Sequence, residues 1–103
     1  MKYPFQTLFL VCGGERCNAE WRGNERGELI RDELKAHNKS LGRKPTVRVC
    51  AVSCLDLCDY GPNMVVQPSG IAYSHLDRAT ARAVYDAETG DGPPRPDLEF
   101  EGR

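Results

Sequence analysis

The spacing of apolar positions changes along the chain, and each change predicts an element. Gln6 to Val11 (QTLFLV) is a continuous apolar run that ends at Cys12 and two glycines. Such a run fits a strand buried on both faces, as parallel strands are. Cys12 to Gly23 holds Gly13-Gly14, mixed charges and no sustained period, which predicts a loop. From Gly27 to Leu41 the rhythm turns helical: Ile30, Leu34, His37 and Leu41 recur at helical spacing, Leu29 widens the stripe, and Arg31, Asp32, Lys35 and Lys39 lie off it. Gly42 supplies a stop and Pro45 prevents continuation. Thr46 to Val52 (TVRVCAV) is valine-rich and partly alternating, a second strand. Ser53 to Pro62 (SCLDLCDYGP) is a second loop. Asn63–Gln67 and Ile71–Tyr73 then flank Pro68-Ser69-Gly70, the pattern of a hairpin. Leu76-Asp77 opens a second helix with Asp77 as N-cap and Ala81, Val84 and Tyr85 on its inner face.

The resulting order is β-α-β-β-β-α. Two strands joined across a helix pair in parallel, and the hairpin strands pair antiparallel, so an α/β fold with a mixed sheet and two helices is expected. Residues 1–90 form the domain in this reading. Residues 91–103, with Asp-Gly-Pro-Pro-Arg-Pro after Gly90, form a tail in which Leu98 and Phe100 either dock or belong to a frayed end.

Composition narrows the function classes. A formal net charge of −1 gives no global signal for nucleic acid or an anionic membrane surface. The longest apolar stretch, Leu8 to Cys12, is far too short to span a bilayer, and the start of the chain lacks the pattern of a signal peptide. A cytoplasmic protein is expected. Five cysteines in 103 residues is the anomaly. In a reducing compartment, clustered cysteines point to metal ligation or redox thiols rather than structural disulfides.

The cysteines fall as C-x4-C at Cys12 and Cys17, then C-x3-C at Cys54 and Cys58. Each pair is expected just past one of the two parallel strands, whose carboxyl ends lie side by side, where open α/β sheets tend to hold ligands. Four thiolates from adjacent loops can converge there, as an iron–sulfur cluster requires, and Gly13, Gly14 and Gly61 suit close backbone wrapping. Zinc also accepts four thiolates, although its sites favour C-x2-C spacing. A thiol–disulfide oxidoreductase would need a C-x-x-C dithiol, which is missing. Cys50 leaves the pairing open, because Cys50, Cys54 and Cys58 read as C-x3-C-x3-C. Its position inside the second strand favours a packing role.

VCGGERC, a helix, SCLDLCDYGPNMVVQPSGIAY and a short last helix together resemble the thioredoxin-like 2Fe-2S ferredoxins. The same fold serves as the small cluster-bearing subunit of NADH:quinone oxidoreductases. The resemblance runs over about residues 7–87, and it is most specific from Cys54 through Gly61-Pro62 to the Pro-x-Gly-x-x-Tyr segment. It implies a thioredoxin-like fold and a 2Fe-2S cluster on Cys12, Cys17, Cys54 and Cys58. It also implies a homodimeric one-electron carrier, not an enzyme, working between redox partner proteins. Cys50 and the polar NAEWRGNERGE stretch depart from the family pattern. A cluster-bearing subunit of a larger oxidoreductase, or a zinc-stabilised thioredoxin-like binding protein, remain the alternatives.

The other conspicuous residues have bland readings. His37 is expected as a packed or edge residue of the first helix, and His75 as a solvent-facing turn residue. Trp21 either shields the site or packs over its loop. Asp56 and Asp59, with Glu15 and Glu20, would give the site an acidic rim suited to a basic redox partner, or serve solubility alone.

Overall fold

The computed structural model describes residues 4–14, 26–53, 55 and 61–101. Its elements follow the expected order: β1 (Thr7–Cys12), α1 (Gly27–Ser40), β2 (Val47–Val52), β3 (Met64–Gln67), β4 (Ile71–Tyr73) and α2 (Arg78–Thr89). A short 3-10 turn, Pro96–Leu98, follows. The sheet order is β2-β1-β3-β4. β1 pairs in parallel with β2 and antiparallel with β3, and β3 pairs antiparallel with β4. A mixed four-stranded sheet with two helices is therefore observed, as the pattern predicted.

The central place of β1 accounts for its unbroken apolar run. Both of its edges carry partners; one face is buried against the helices, and Leu8 and Leu10 on the other are half-buried. Phe9 and Val11 share one face with Val49, Met64 and Val66, and this face meets both helices in one buried core with Ile30, Leu34, Val84 and Tyr85. Phe9 stacks on Tyr85 with ring centroids 5.0 Å apart. On the opposite face a half-buried row crosses every strand, from Cys50 through Leu10 and Val65 to Ala72.

The inner stripe of α1 differs from the expected one. Its buried residues are Gly27, Ile30, Leu34 and Asn38, whereas Leu29 and Leu41 are 39 % and 43 % exposed. The stripe runs Ile30, Leu34, Asn38 in steps of four, so Leu41 falls outside it and ends the helix as C-cap. Asn38 is tolerated there because its amide is fully used: Nδ2 donates to the Val47 carbonyl (2.9 Å) and Oδ1 accepts from the Tyr85 hydroxyl (2.5 Å). One buried side chain thus ties α1 to β2 and to α2. His37 lies at the rim of this contact, edge-on to Tyr85 and 3.1 Å from both Asp86 and Arg82. That is the packed, edge role expected for it.

α2 begins with a capping box. Asp77 accepts from the Thr80 amide (2.7 Å), and the Thr80 hydroxyl accepts from the Asp77 amide (2.8 Å). Its inner face, Ala81, Val84 and Tyr85, is buried as expected, and Gly90 closes it with a φ of 87°, a conformation that glycine adopts freely. His75, just upstream, is exposed.

The tail after Gly90 docks. Leu98 packs on the core, its carbonyl accepts from the Ser74 amide (3.0 Å), and the Phe100 amide donates to the Ala72 carbonyl (2.8 Å). The outer edge of the hairpin is occupied by this segment, with Glu99 bridged to Tyr73. No helix among the described residues is long and apolar enough to cross a membrane.

The cap of α2 carries a prediction. The Thr80 amide, followed by the Thr80 hydroxyl, holds the Asp77 carboxyl below its ordinary value of 3.8. The folded protein therefore favours the ionised form, and the stabilisation is complete above the unfolded value and lost as pH falls through the folded one. Asp77→Ala is expected to lower stability by about 1 kcal/mol at neutral pH. Urea denaturation should show this deficit shrinking in acid below 3.8. A deficit that stays constant across that range would contradict the assignment.

Candidate metal centre

Cys12 is the last residue of β1, paired with Val52, the last residue of β2. This corrects the expectation that Cys12 lies just beyond the strand: the ladder runs one residue further because the Cys12 amide donates to the Asn63 carbonyl (3.1 Å). The thiol side chain is fully buried, yet it stands outside the main hydrophobic cluster. By the alternation of the strand it faces away from the helices.

The two strand exits are joined immediately after Cys12. The Gly13 amide donates to the Val52 carbonyl at 2.7 Å, extending the parallel ladder. Gly14 then passes so near the second exit that a Cβ on it would sit 2.9 Å from the Ser53 carbonyl oxygen and 3.6 Å from Cys12 Sγ. Real Cβ atoms do not approach backbone oxygen so closely, so glycine is needed for this contact. On the far side, Gly61, Pro62 and Asn63 are buried, and the Pro62 carbonyl accepts from the Leu76 amide (2.9 Å) at the approach to α2. Cys12 is therefore held at a corner made by the ends of β1 and β2 and the segment leading into β3.

Of the four predicted ligands, Cys12 is described, while Cys17, Cys54 and Cys58 lie outside the described residues. So do Trp21 and the acidic residues Glu15, Glu20, Asp56 and Asp59. Among the described residues no three His, Cys, Asp or Glu side chains gather into a metal-sized group. The donor set does fit a cluster in kind. Thiolates are its ligands, and the one described is shielded from water at the mouth of the first loop. In sequence, Cys54 directly follows the Ser53 that Gly14 touches.

Cys50 is half-buried in β2 opposite Leu10. It shares the helix-free face with Cys12 but lies two residues back from Val52, and the ladder continues past it. Its thiol is thus fixed to the sheet rather than to a loop. His37 and His75 do not join Cys12: one packs against Tyr85, and the other is exposed ahead of α2. Asn63 is the residue that sequence reasoning missed. It is 1 % exposed and supplies the carbonyl that receives the Cys12 amide. The only hint was a polar residue between Gly61-Pro62 and an apolar strand.

No protein-family profile and no curated protein sequence matches the chain. Solved structures do. The thioredoxin-like [2Fe-2S] ferredoxin from Aquifex aeolicus superposes with a TM-score of 0.78 at 16 % identity, over 94 % of this chain and 92 % of that one. A wild-type structure of the Aquifex aeolicus ferredoxin at 1.5 Å gives a TM-score of 0.75 at 17 % identity, over 95 % and 99 %. A cysteine-to-serine variant of the same ferredoxin gives 0.76 at 16 %, over 93 % and 99 %. At these identities the likeness is one of fold, and it extends over nearly the whole of both chains: this protein has the thioredoxin-like fold.

Proposed function

We propose that this protein is a 2Fe-2S ferredoxin, a one-electron carrier between other redox proteins, with Cys12, Cys17, Cys54 and Cys58 as the cluster ligands. The observation that supports this reading most directly is the junction of Gly13 and Gly14 with Val52 and Ser53, from which both cysteine-bearing loops depart. Bound there, a 2Fe-2S cluster would take up and release a single electron without any bond made to a substrate. The protein's own part is to hold and shield. Cys12 would offer a thiolate from a rigid strand end, already removed from water. Gly14 keeps the exit of β1 close to Ser53 at the exit of β2, and the carbonyls of Asn63 and Val52 receive the amides of Cys12 and Gly13. Reductant and acceptor would be proteins, and thiolate ligation of this kind suits a reducing, cytoplasmic setting.

The homodimer belongs to the same proposal. The helix-free sheet face, with Leu10, Cys50, Val65 and Ala72 half-buried across all four strands, is a surface that a second copy would cover.

Purified anaerobically with iron available, the protein should be red-brown, carry about two irons and two acid-labile sulfides per chain, and bleach in part with dithionite. A colourless protein with stoichiometric zinc would sink the cluster in favour of the zinc alternative. Cys12→Ala, Cys17→Ala and Cys58→Ala should each lose most of the iron. Cys54→Ala should do the same unless Cys50 is recruited in its place, whereas Cys50→Ala should leave iron content and spectrum unchanged. Cluster loss in Cys50→Ala with retention in Cys58→Ala would move the second ligand pair to Cys50 and Cys54.

Gly14→Ala should also lower iron content, because its Cβ meets a backbone oxygen that cannot swing aside. Full iron loading in that variant would show that the two loops need not touch. Sedimentation at micromolar concentration should give a dimer, and a monomer alone would remove the homodimer while leaving the ligand assignment intact.

A further inference from the structure

A second surface lies at the other end of the sheet. Between α1 and the outer side of β2 runs a groove of about 500 Å³. Lys35, Lys39, Lys44 and Arg48 line it, over an apolar floor that includes Val49 and Phe5. All four cations are exposed, and among the described residues no carboxylate contributes to the lining. The concentration is local, since the whole chain has 14 Lys and Arg against 15 Asp and Glu. Of the three acids of α1, Asp32 pairs with Arg31 and Glu33 with Arg82, and Glu28 lies in the first turn, outside the groove lining. Among the described residues the groove cations have no ion-pair partner. Arg48 instead rests over the Phe5 ring, 5.8 Å from its centroid.

We propose that this groove is a docking site for an acidic, extended polypeptide segment of a partner protein. Charge complementarity selects an acidic ligand, and three further features select a polypeptide. β2 is an edge strand, paired among the described residues only with β1, and an unpaired strand edge offers backbone groups that another chain can meet. Lys35 and Lys39 are one helical turn apart on α1, while Lys44 and Arg48 line the β2 side, Arg48 from a strand position that alternates away from the helix; this spread arrangement matches carboxylates strung along a chain. Lys39 also lies in the last turn of α1, where the helix dipole presents its negative end, so the groove lacks the converging amides of a compact phosphate site.

The chain's own tail shows the ligand pattern. Asp97-Leu98-Glu99-Phe100-Glu101 alternates acidic and apolar residues and is seated along β4, the other edge of the same sheet. That edge is therefore taken, and β2 is the edge that remains. The groove is also separate from the cysteines: Val52, the partner of Cys12, is about 16 Å further along β2 than Val47. A segment docked here leaves the cysteine corner uncovered, and the proposal stands whether or not those cysteines hold a cluster.

The test uses the full-length chain and a synthetic decapeptide of alternating glutamate and valine. Titrated into ¹⁵N-labelled protein, the peptide should shift the amides of Lys35–Lys39 and Val47–Ala51, leave Gly13 and Gly14 unmoved, and bind more weakly as salt rises. Arg48→Glu and Lys39→Glu should each weaken binding about tenfold. Arg78→Glu, with the same change in net charge in the first turn of α2 and outside the groove lining, should not. Thermal melts of all variants verify that they fold. Equal weakening by Arg48→Glu and Arg78→Glu, shifts centred on Gly13 and Gly14, or no binding at millimolar peptide would each overturn the proposal. Polyphosphate or phosphatidylserine vesicles binding as tightly as the peptide at the same residues would overturn the polypeptide assignment in favour of a general anion surface.

Discussion

Everything in this fold depends on the parallel pairing of β1 with β2. A parallel pair cannot be closed by a tight turn, so the chain must travel back along its full length before the second strand begins. α1 makes that return. The pairing register, Thr7 with Val47 through Cys12 with Val52, then brings both carboxyl ends to one corner without either loop having to reach for the other. It also sends the end of α1, and Arg43 and Lys44 after it, to the opposite end of the sheet. The two ends of the molecule thereby acquire different chemistry from one topological decision.

The crossover helix must stay seated for this register to hold, and a polar contact does part of the seating. Asn38 bridges the Val47 carbonyl at the start of β2 and the Tyr85 hydroxyl on α2. Breaking either bond would leave a buried polar group without its partner, which costs more than the net gain of forming the bond. Around Tyr85 a polar rim continues the contact: His37 meets its ring edge, Arg43 lies over its face, and Asp86 and Asp91 pair with His37 and Arg43. Burial is the first cause, and it raises the Tyr85 hydroxyl above its ordinary pKa, keeping it a donor to Asn38.

The legible parts of the sequence were those in which one period dominates. β1, β2 and α2 follow from an apolar run, a valine-rich stretch and a cap with its inner face, because local pattern and tertiary burial agree there. α1 was legible as a helix but not in its orientation. Leu29 and Leu41 read as inner residues by hydropathy, whereas the buried row takes Asn38, whose partners Val47 and Tyr85 are far away in sequence. The tail was equally opaque: Leu98 and Glu99 gain their places from Ser74 and Tyr73 on an edge that exists only once β4 has formed. The candidate site was legible as spacing and as glycines. The contribution of Asn63, a backbone carbonyl offered to Cys12, has no side-chain signature to read.

Glycine at the cysteine corner and lysine at the far groove answer opposite physical needs. Around Cys12 the backbone itself approaches, and side chains are removed so that carbonyls and amides come within hydrogen-bond reach of the strand end. At the groove the long stems of Lys35, Lys39 and Lys44 hold charge away from an apolar floor, keeping it solvated until something of opposite sign arrives. A rigid hydrogen-bonded sheet lies between them. Occupying the groove therefore places no atom near Cys12, and any influence of one end on the other must pass through the β1–β2 ladder, whose register is already fixed by six residue pairs. The ladder sets Val52, beside Cys12, about 16 Å along β2 from Val47, so a segment docked at the lysines would leave the cysteine corner uncovered.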